Sequence, residues 1–207
     1  MSISKQKLKN FDLIIWGASG YTGKLVCEYI FKNYKKNNLK WALGGRNKSK
    51  IERLITSLNL KNIPYFIADS NNKISLLKIT KTTKTICSTV GPYAKYGTLL
   101  IEACIESKTN YCDITGETHW IRDIIDNYHT KALKNKVKII HACGFDSIPS
   151  DIGVFYVQKK MMEDMGKYAN KISMRVSAIK GGISGGTIFS FLNILSASSL
   201  SFGFETN

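Results

Sequence analysis

Phe11-Asp12-Leu13-Ile14-Ile15-Trp16, followed without a break by Gly17-Ala18-Ser19-Gly20-Tyr21-Thr22-Gly23, is the stretch that decides the fold. The first six residues form a nearly continuous, isoleucine-rich apolar run, which suits a central parallel strand covered on both faces. Leu25, Val26, Tyr29 and Ile30 then recur at helical spacing. Strand, glycine turn and helix follow one another in the order that a dinucleotide-binding unit requires.

Working outward, the alternation repeats. Strands are expected at 41–44, 65–68, 85–88, 111–113 and 137–141, with helices at 48–58, around 72–81, at 97–107 and at 120–134. In the helix at 48–58, Ile51, Leu54, Ile55 and Leu58 fall on one face. Parallel neighbours need crossover helices, so the pattern specifies an α/β fold with a doubly wound, mostly parallel sheet of the Rossmann type. Beyond Ser150 the character changes. A helix at 151–162 leads to 171–180 (KISMRVSAIK), which alternates like a strand with one solvated face, and then to a glycine cluster at 181–186. Residues 1–150 are read as the nucleotide-binding domain and 151–207 as the incomplete start of a second α/β domain.

The glycine spacing carries specific chemistry. Gly17 permits the tight turn, Gly20 lets the backbone approach a pyrophosphate, and Gly23 lets the helix pack close to the sheet. Ala18 and Tyr21 complete the turn, Ser19 and Thr22 add hydroxyl donors, and N–H groups at the helix start meet phosphate charge. The second strand ends Gly44-Gly45-Arg46-Asn47-Lys48, without the acidic residue that binds the ribose 2′-hydroxyl of NAD. Arg46 offers a planar fork suited to a 2′-phosphate, so the expected cofactor is NADP(H). Asp69 is a candidate acceptor for the adenine amino group, or else the N-cap of the next helix.

Composition narrows the remaining classes. With 207 residues, 43% hydrophobic and 22% charged, the chain can bury one full core and begin another. Its five cysteines contain no CxxC pair and no secretory signal precedes them, so reduced thiols in a cytoplasmic protein are expected. The net charge of +15 comes from lysines scattered along the chain, not gathered in one stripe, which argues against a specific nucleic-acid partner. The basic surface leaves attraction of an anionic substrate, or peripheral contact with a membrane, open. Residues 188–204 are the nearest approach to a membrane span, and Ser190, Asn193 and Ser196 interrupt them.

Six blocks taken in order, GASGYTG (17–23), WALGGR (41–46), TVGPYAKYG (89–97), YCDITGE (111–117), HACGFDSIPSD (141–151) and GGISGGT (181–187), resemble the saccharopine dehydrogenase-like oxidoreductases, a family that includes the trans-acting enoyl reductases of mycobacterial glycolipid synthesis. The resemblance implies an NADP-dependent reductase acting on an acyl or lipid-like carbonyl or enoyl substrate. A saccharopine-type imine reduction is the alternative, and it needs convergent basic residues where the signature loops offer only Lys95. Family members are longer, so the chain is read as truncated or as one partner of a split pair. A cofactor-binding module without turnover therefore stays open, as does a homodimer formed through the second domain.

In a doubly wound sheet the reacting groups lie beyond the carboxyl ends of the strands. Val90, Gly91 and Pro92 are expected beside the cofactor. Tyr93 and Tyr96 are candidate proton donors, and Asp113 and Glu117 candidate acids, bases or orienting groups, with Asp146 and Ser147 completing a polar rim. Each has a plainer reading: the tyrosines pack, Asp113 caps a turn at Thr115-Gly116, and Asp146 caps one ended by Pro149. His119, His129 and His141 show no metal-ligand spacing. Tyr156 and Lys160 match the Y-x-x-x-K pair of short-chain dehydrogenases, a match that a lysine- and tyrosine-rich chain produces by chance.

Overall fold

Strand β1 (Phe11–Trp16) lies in the interior of the sheet, which is why Ile14, Ile15 and Trp16 are all buried although they point to alternate faces. A computed structural model of the chain describes residues 9–34, 38–145 and 147–178. On one side β1 pairs with β2 (Trp41–Gly45), and on the other with β4 (Thr83–Ser88), both parallel. Outside them lie β3 (Tyr65–Ile67) beside β2, then β5 (Asn110–Asp113) and β6 (Ile139–Ile140) beyond β4. The order β3-β2-β1-β4-β5-β6 is that of a dinucleotide-binding sheet, with its switch point between β1 and β4.

Right-handed crossovers decide which face each helix covers. Helices α1 (Tyr21–Asn33) and α2 (Lys48–Ser57) cover β1 and β2 on one face, where Ile15 and Leu43 pack with Cys27, Ile30, Ile51 and Leu54. Helices α3 (Lys73–Thr80), α5 (Thr98–Glu106) and α6 (Thr118–Asn135) cover the other face. There Ile14, Ala42, Ile86 and Tyr111 meet Leu76, Ile101, Cys104, Trp120 and Ile124. Each aliphatic side chain buried this way contributes about 1.5–3 kcal/mol. No residue of β4, β5 or β6 joins the α1/α2 cluster, so among the described residues that half of the first face carries no helix.

Several expectations need correction. β6 is only two residues long, shorter than the apolar run at 137–141 suggested, because it pairs on one side alone, with Tyr111 and Cys112. Residues 93–96, read as loop, form a short helix, α4 (Tyr93–Tyr96). Residues 171–178, the described part of the expected strand, have no regular structure. Alternation supplies a strand's two faces but not its partner, and no neighbouring strand is present there among the described residues. The glycine cluster at 181–186 and the stretch at 188–204 lie outside the described residues. The last described helix, α7 (Ile148–Met165), buries none of its residues and leaves Ile152, Phe155, Tyr156 and Met165 more than half exposed.

Candidate functional site: a nucleotide cleft at the sheet switch point

A cleft of about 290 Å³ opens at the carboxyl ends of β1, β2, β3 and β4. Ligand pockets run from roughly 300 to 1,000 Å³, so this cleft seats part of a dinucleotide and does not enclose it. Its floor is the turn between β1 and α1. Gly17 has a φ of +87°, and a Cβ there would lie 2.6 Å from Val90 Cγ2, so the turn and the loop after β4 can meet only at a glycine. Thr89 ties the same two loops together, with Oγ1 donating to the carbonyls of Trp16 at 3.1 Å and Gly17 at 3.3 Å. Gly23 faces away from the cleft, pressed against the Gly17 carbonyl, and sets how close α1 comes to the sheet.

The helix starts differ in a way that bears on ligands. α2 is capped by the Asn47 side chain, which accepts from Lys50 N–H at 3.0 Å, and α3 by Asn72, which accepts from Ser75 N–H at 3.0 Å. α1 begins after Gly20, has no side-chain cap and carries no acidic residue in its first turn. Ser19, Gly20, Tyr21 and Thr22 line the cleft at that helix start, where N–H groups and the helix dipole favour an anion. Because Asn47 takes the cap of α2, Arg46 is the residue left at the end of β2. It is exposed at the cleft lip beside Gly45, and its guanidinium has no acceptor among the described residues. The charge arrangement, an uncapped helix start and one unpaired guanidinium, fits a ligand with two separate phosphate groups.

Most of the expected cofactor residues meet here: Gly17, Ser19, Gly20, Tyr21, Thr22, Arg46, Asp69, Val90 and Gly91 all line the cleft. Ala18 is fully buried under α1, and Gly23 and Pro92 stand behind the lining. Asp69 is not the N-cap of α3, since Asn72 is. One Asp69 carboxylate oxygen accepts from Asn71 N–H at 2.9 Å while the residue lines the cleft. Trp16, Gly45, Ser70 and Thr89 also line it and were not singled out from sequence, although each adjoins a residue that was. The Trp16 indole N–H is buried with no acceptor among the described residues.

The family model for the saccharopine dehydrogenase NADP-binding domain matches residues 13–140, the span that builds this cleft. The chain belongs to that family. Like other members, this saccharopine dehydrogenase-type domain has NADP(H) as its cofactor. A provisionally named trans-acting enoyl reductase of Mycobacterium tuberculosis is 36% identical over 193 residues, covering 92% of this chain and 46% of that protein. The trans-acting enoyl reductase of Mycobacterium leprae is 32% identical over 186 residues, covering 88% and 44%. The chain thus spans just under half the length of these curated relatives. Apo saccharopine dehydrogenase (L-Glu forming) from Saccharomyces cerevisiae shares the fold, with a TM-score of 0.57 and 16% identity over 74% of this chain and 31% of that one. No described helix of the domain is long and apolar enough to cross a membrane.

The polar residues expected to do chemistry divide sharply in this NADP-binding domain. Tyr96 lines the cleft, half-buried, and its hydroxyl has no partner among the described residues. Tyr93 points the other way. Its hydroxyl donates to the Ser88 carbonyl at 3.2 Å, its ring packs on Trp120, and burial pushes the phenol well above its usual range. Glu117 is buried and accepts the N–H groups of Tyr93 at 2.8 Å and Ala94 at 2.9 Å, so it caps α4 from a distant loop. Asp113 is equally buried. It accepts from Thr115 N–H and Ala142 N–H, both at 3.1 Å, and sits 2.7 Å from His141 Nδ1. The YCDITGE block therefore binds the loops after β4, β5 and β6 to one another behind the cleft.

Asp146 lies outside the described residues, and neither Ser147, Tyr156 nor Lys160 lines the cleft. Lys160 pairs with Asp164 at 2.9 Å. Replacing Glu117 with glutamine keeps the volume but substitutes an amide N–H for one acceptor, leaving a donor facing a buried N–H. Thermal unfolding is expected to show a loss of about 2 kcal/mol. An unchanged Tm would mean that this carboxylate does not hold α4.

Proposed function

We propose that this chain is the cofactor-binding half of an NADPH-dependent reductase whose substrate is an acyl or lipid-like enoyl or carbonyl compound. The observation that carries the reading is the cleft at the β1/β4 switch point, with an arginine at one end and a tyrosine, Tyr96, on the loop side whose side-chain polar groups have no partner among the described residues. The names of the enoyl reductase relatives, identical at about a third of positions, support the substrate class.

NADPH supplies a hydride when bound. The residues of the chain bind and orient around it: the first turn of α1 takes the diphosphate, Arg46 takes the 2′-phosphate, and Val90 and Gly91 let the backbone approach closely. Tyr96 holds the proton destined for the substrate oxygen or enolate. An imine substrate bearing several carboxylates is less well served, because Arg46 is the one basic residue among the described residues lining the cleft. The exposed apolar residues of α7 suit burial against further polypeptide, either a segment corresponding to the rest of the relatives' length or a second copy, and a homodimer stays within this proposal.

The test combines binding and turnover. Nucleotide fluorescence is expected to show tighter binding of NADPH than of NADH, and an α,β-unsaturated acyl thioester is expected to consume bound NADPH. Tyr96→Phe should leave NADPH affinity unchanged and slow consumption by about a hundredfold, the usual contribution of a positioned proton donor. Tight NADPH binding without consumption by any enoyl or carbonyl compound would leave a dinucleotide-binding module and sink the reductase reading.

A further inference from the structure

The half of the sheet that carries no helix on its first face among the described residues holds a feature that the cofactor cleft does not use. Cys87 in β4 and Cys112 in β5 are register partners in adjacent parallel strands. Their neighbours Ile86 and Tyr111 point into the core beneath α5 and α6, so by strand alternation both thiols point to the opposite face. Among the described residues that face of β4 to β6 carries no helix, and both cysteines are partly exposed there. The two thiols influence each other across the ladder, Cys112 drawing the pKa of Cys87 down while its own is raised. Cys27 and Cys104 differ, being fully buried in the two cores. Cys143 follows β6 and directs its thiol toward the carbonyls of Ile140 and His141.

We propose that Cys87 and Cys112 form a reversible redox pair, converted to an intramolecular disulfide by hydrogen peroxide. Neighbouring residues across a parallel ladder bring their Cα atoms within the span of roughly 4.4–6.8 Å that a disulfide bridges, so the strands need not part. The influence of Cys112 stabilises the Cys87 thiolate and lowers its pKa, while the Cys112 thiol is held protonated, which makes Cys87 the attacking sulfur. The Cys87 thiolate attacks one peroxide oxygen, the O–O bond breaks, and hydroxide leaves, taking up a proton to become water. The resulting sulfenic acid is attacked by the Cys112 sulfur, the S–O bond breaks and a second water departs with the Cys112 proton. Two thiols are oxidised by two electrons and one peroxide is reduced to two waters. The bond would sit one residue before Ser88 and two before Thr89, the residue that ties the β4 loop to the glycine turn.

Oxidation of the intact chain with limiting hydrogen peroxide, followed by alkylation of the remaining thiols and peptide mass mapping, tests this directly. Three of the five cysteines are expected to be alkylated, with Cys87 and Cys112 recovered as one linked peptide that dithiothreitol releases. Cys87→Ser and Cys112→Ser should each abolish the linked peptide. Mapping of the unsubstituted chain decides the matter even if either variant folds poorly. Linkage through Cys143, linkage between two chains, or full alkylation of all five thiols after peroxide would overturn the assignment.

Discussion

Replacing Gly23 with alanine is expected to abolish NADPH binding and to destabilise the chain by about 4 kcal/mol or more, at the upper end of single-site effects. A Cβ at this position would lie 2.1 Å from the Gly17 carbonyl oxygen, 2.8 Å from its carbon and 2.9 Å from Ala18 Cα. All three are backbone atoms, so no side chain can rotate to relieve the overlap. The remaining response is for α1 to lift from the sheet. That movement would open the contacts of Cys27 and Ile30 with Ile15 and displace the helix start from the cleft. Two other glycines set the scale. At Gly20 a Cβ would meet only the Gly17 carbonyl oxygen, at 3.3 Å, and Gly20→Ala should weaken nucleotide binding with a smaller loss of Tm. Gly153, inside α7, has nothing within 4 Å of its added Cβ. Gly153→Ala should raise stability by about 0.5–1 kcal/mol through helix propensity. Native stability and NADPH affinity in Gly23→Ala would contradict the close packing of α1 on β1.

Arg46→Asp is expected to weaken NADPH binding by about a hundredfold, equivalent to roughly 2.7 kcal/mol, and to bring NADH affinity level with it or above. The substitution removes the guanidinium available to the 2′-phosphate and places a carboxylate where the same phosphate would be repelled. It also supplies the acceptor that an unphosphorylated ribose 2′-hydroxyl prefers. Because Arg46 is exposed and unpartnered among the described residues, while Asn47 and not Arg46 caps α2, the fold should be indifferent to the change. An unchanged Tm together with a reversed nucleotide preference is the full expected result. Equal loss of both nucleotides, or no change in either, would remove Arg46 from the cofactor site.

How much of this was legible in the sequence depended on how local the physics was. The alternation of apolar strands with amphipathic helices is written in periods of two and 3.6 residues, so the order of β1 to β5 with their helices could be read directly. The cofactor turn was equally legible, because Gly20 and Gly23 answer contacts within seven residues of chain and Gly17 the positive φ of the turn itself. Arg46 could be placed for a similar reason: it closes the second strand at the position where an acidic residue would bind the ribose of NAD. The expected strand at 171–180 failed over its described part because pairing, unlike alternation, needs a second segment.

The sequence by itself thus determined the sheet class, the nucleotide turn and the preference for NADP(H), all of which follow from backbone conformation and short-range spacing. Only the tertiary structure decided which of the polar signature residues meet the cleft. Tyr93 and Tyr96 stand three residues apart on α4, yet the hydroxyl of one is spent on Ser88 in the core while the other residue lines the cleft. Asp113 and Glu117 read as candidate acids and are instead consumed by N–H groups of loops more than twenty residues away. A buried carboxylate goes to whichever donors would otherwise be left unsatisfied, and which donors those are depends on how distant loops come together.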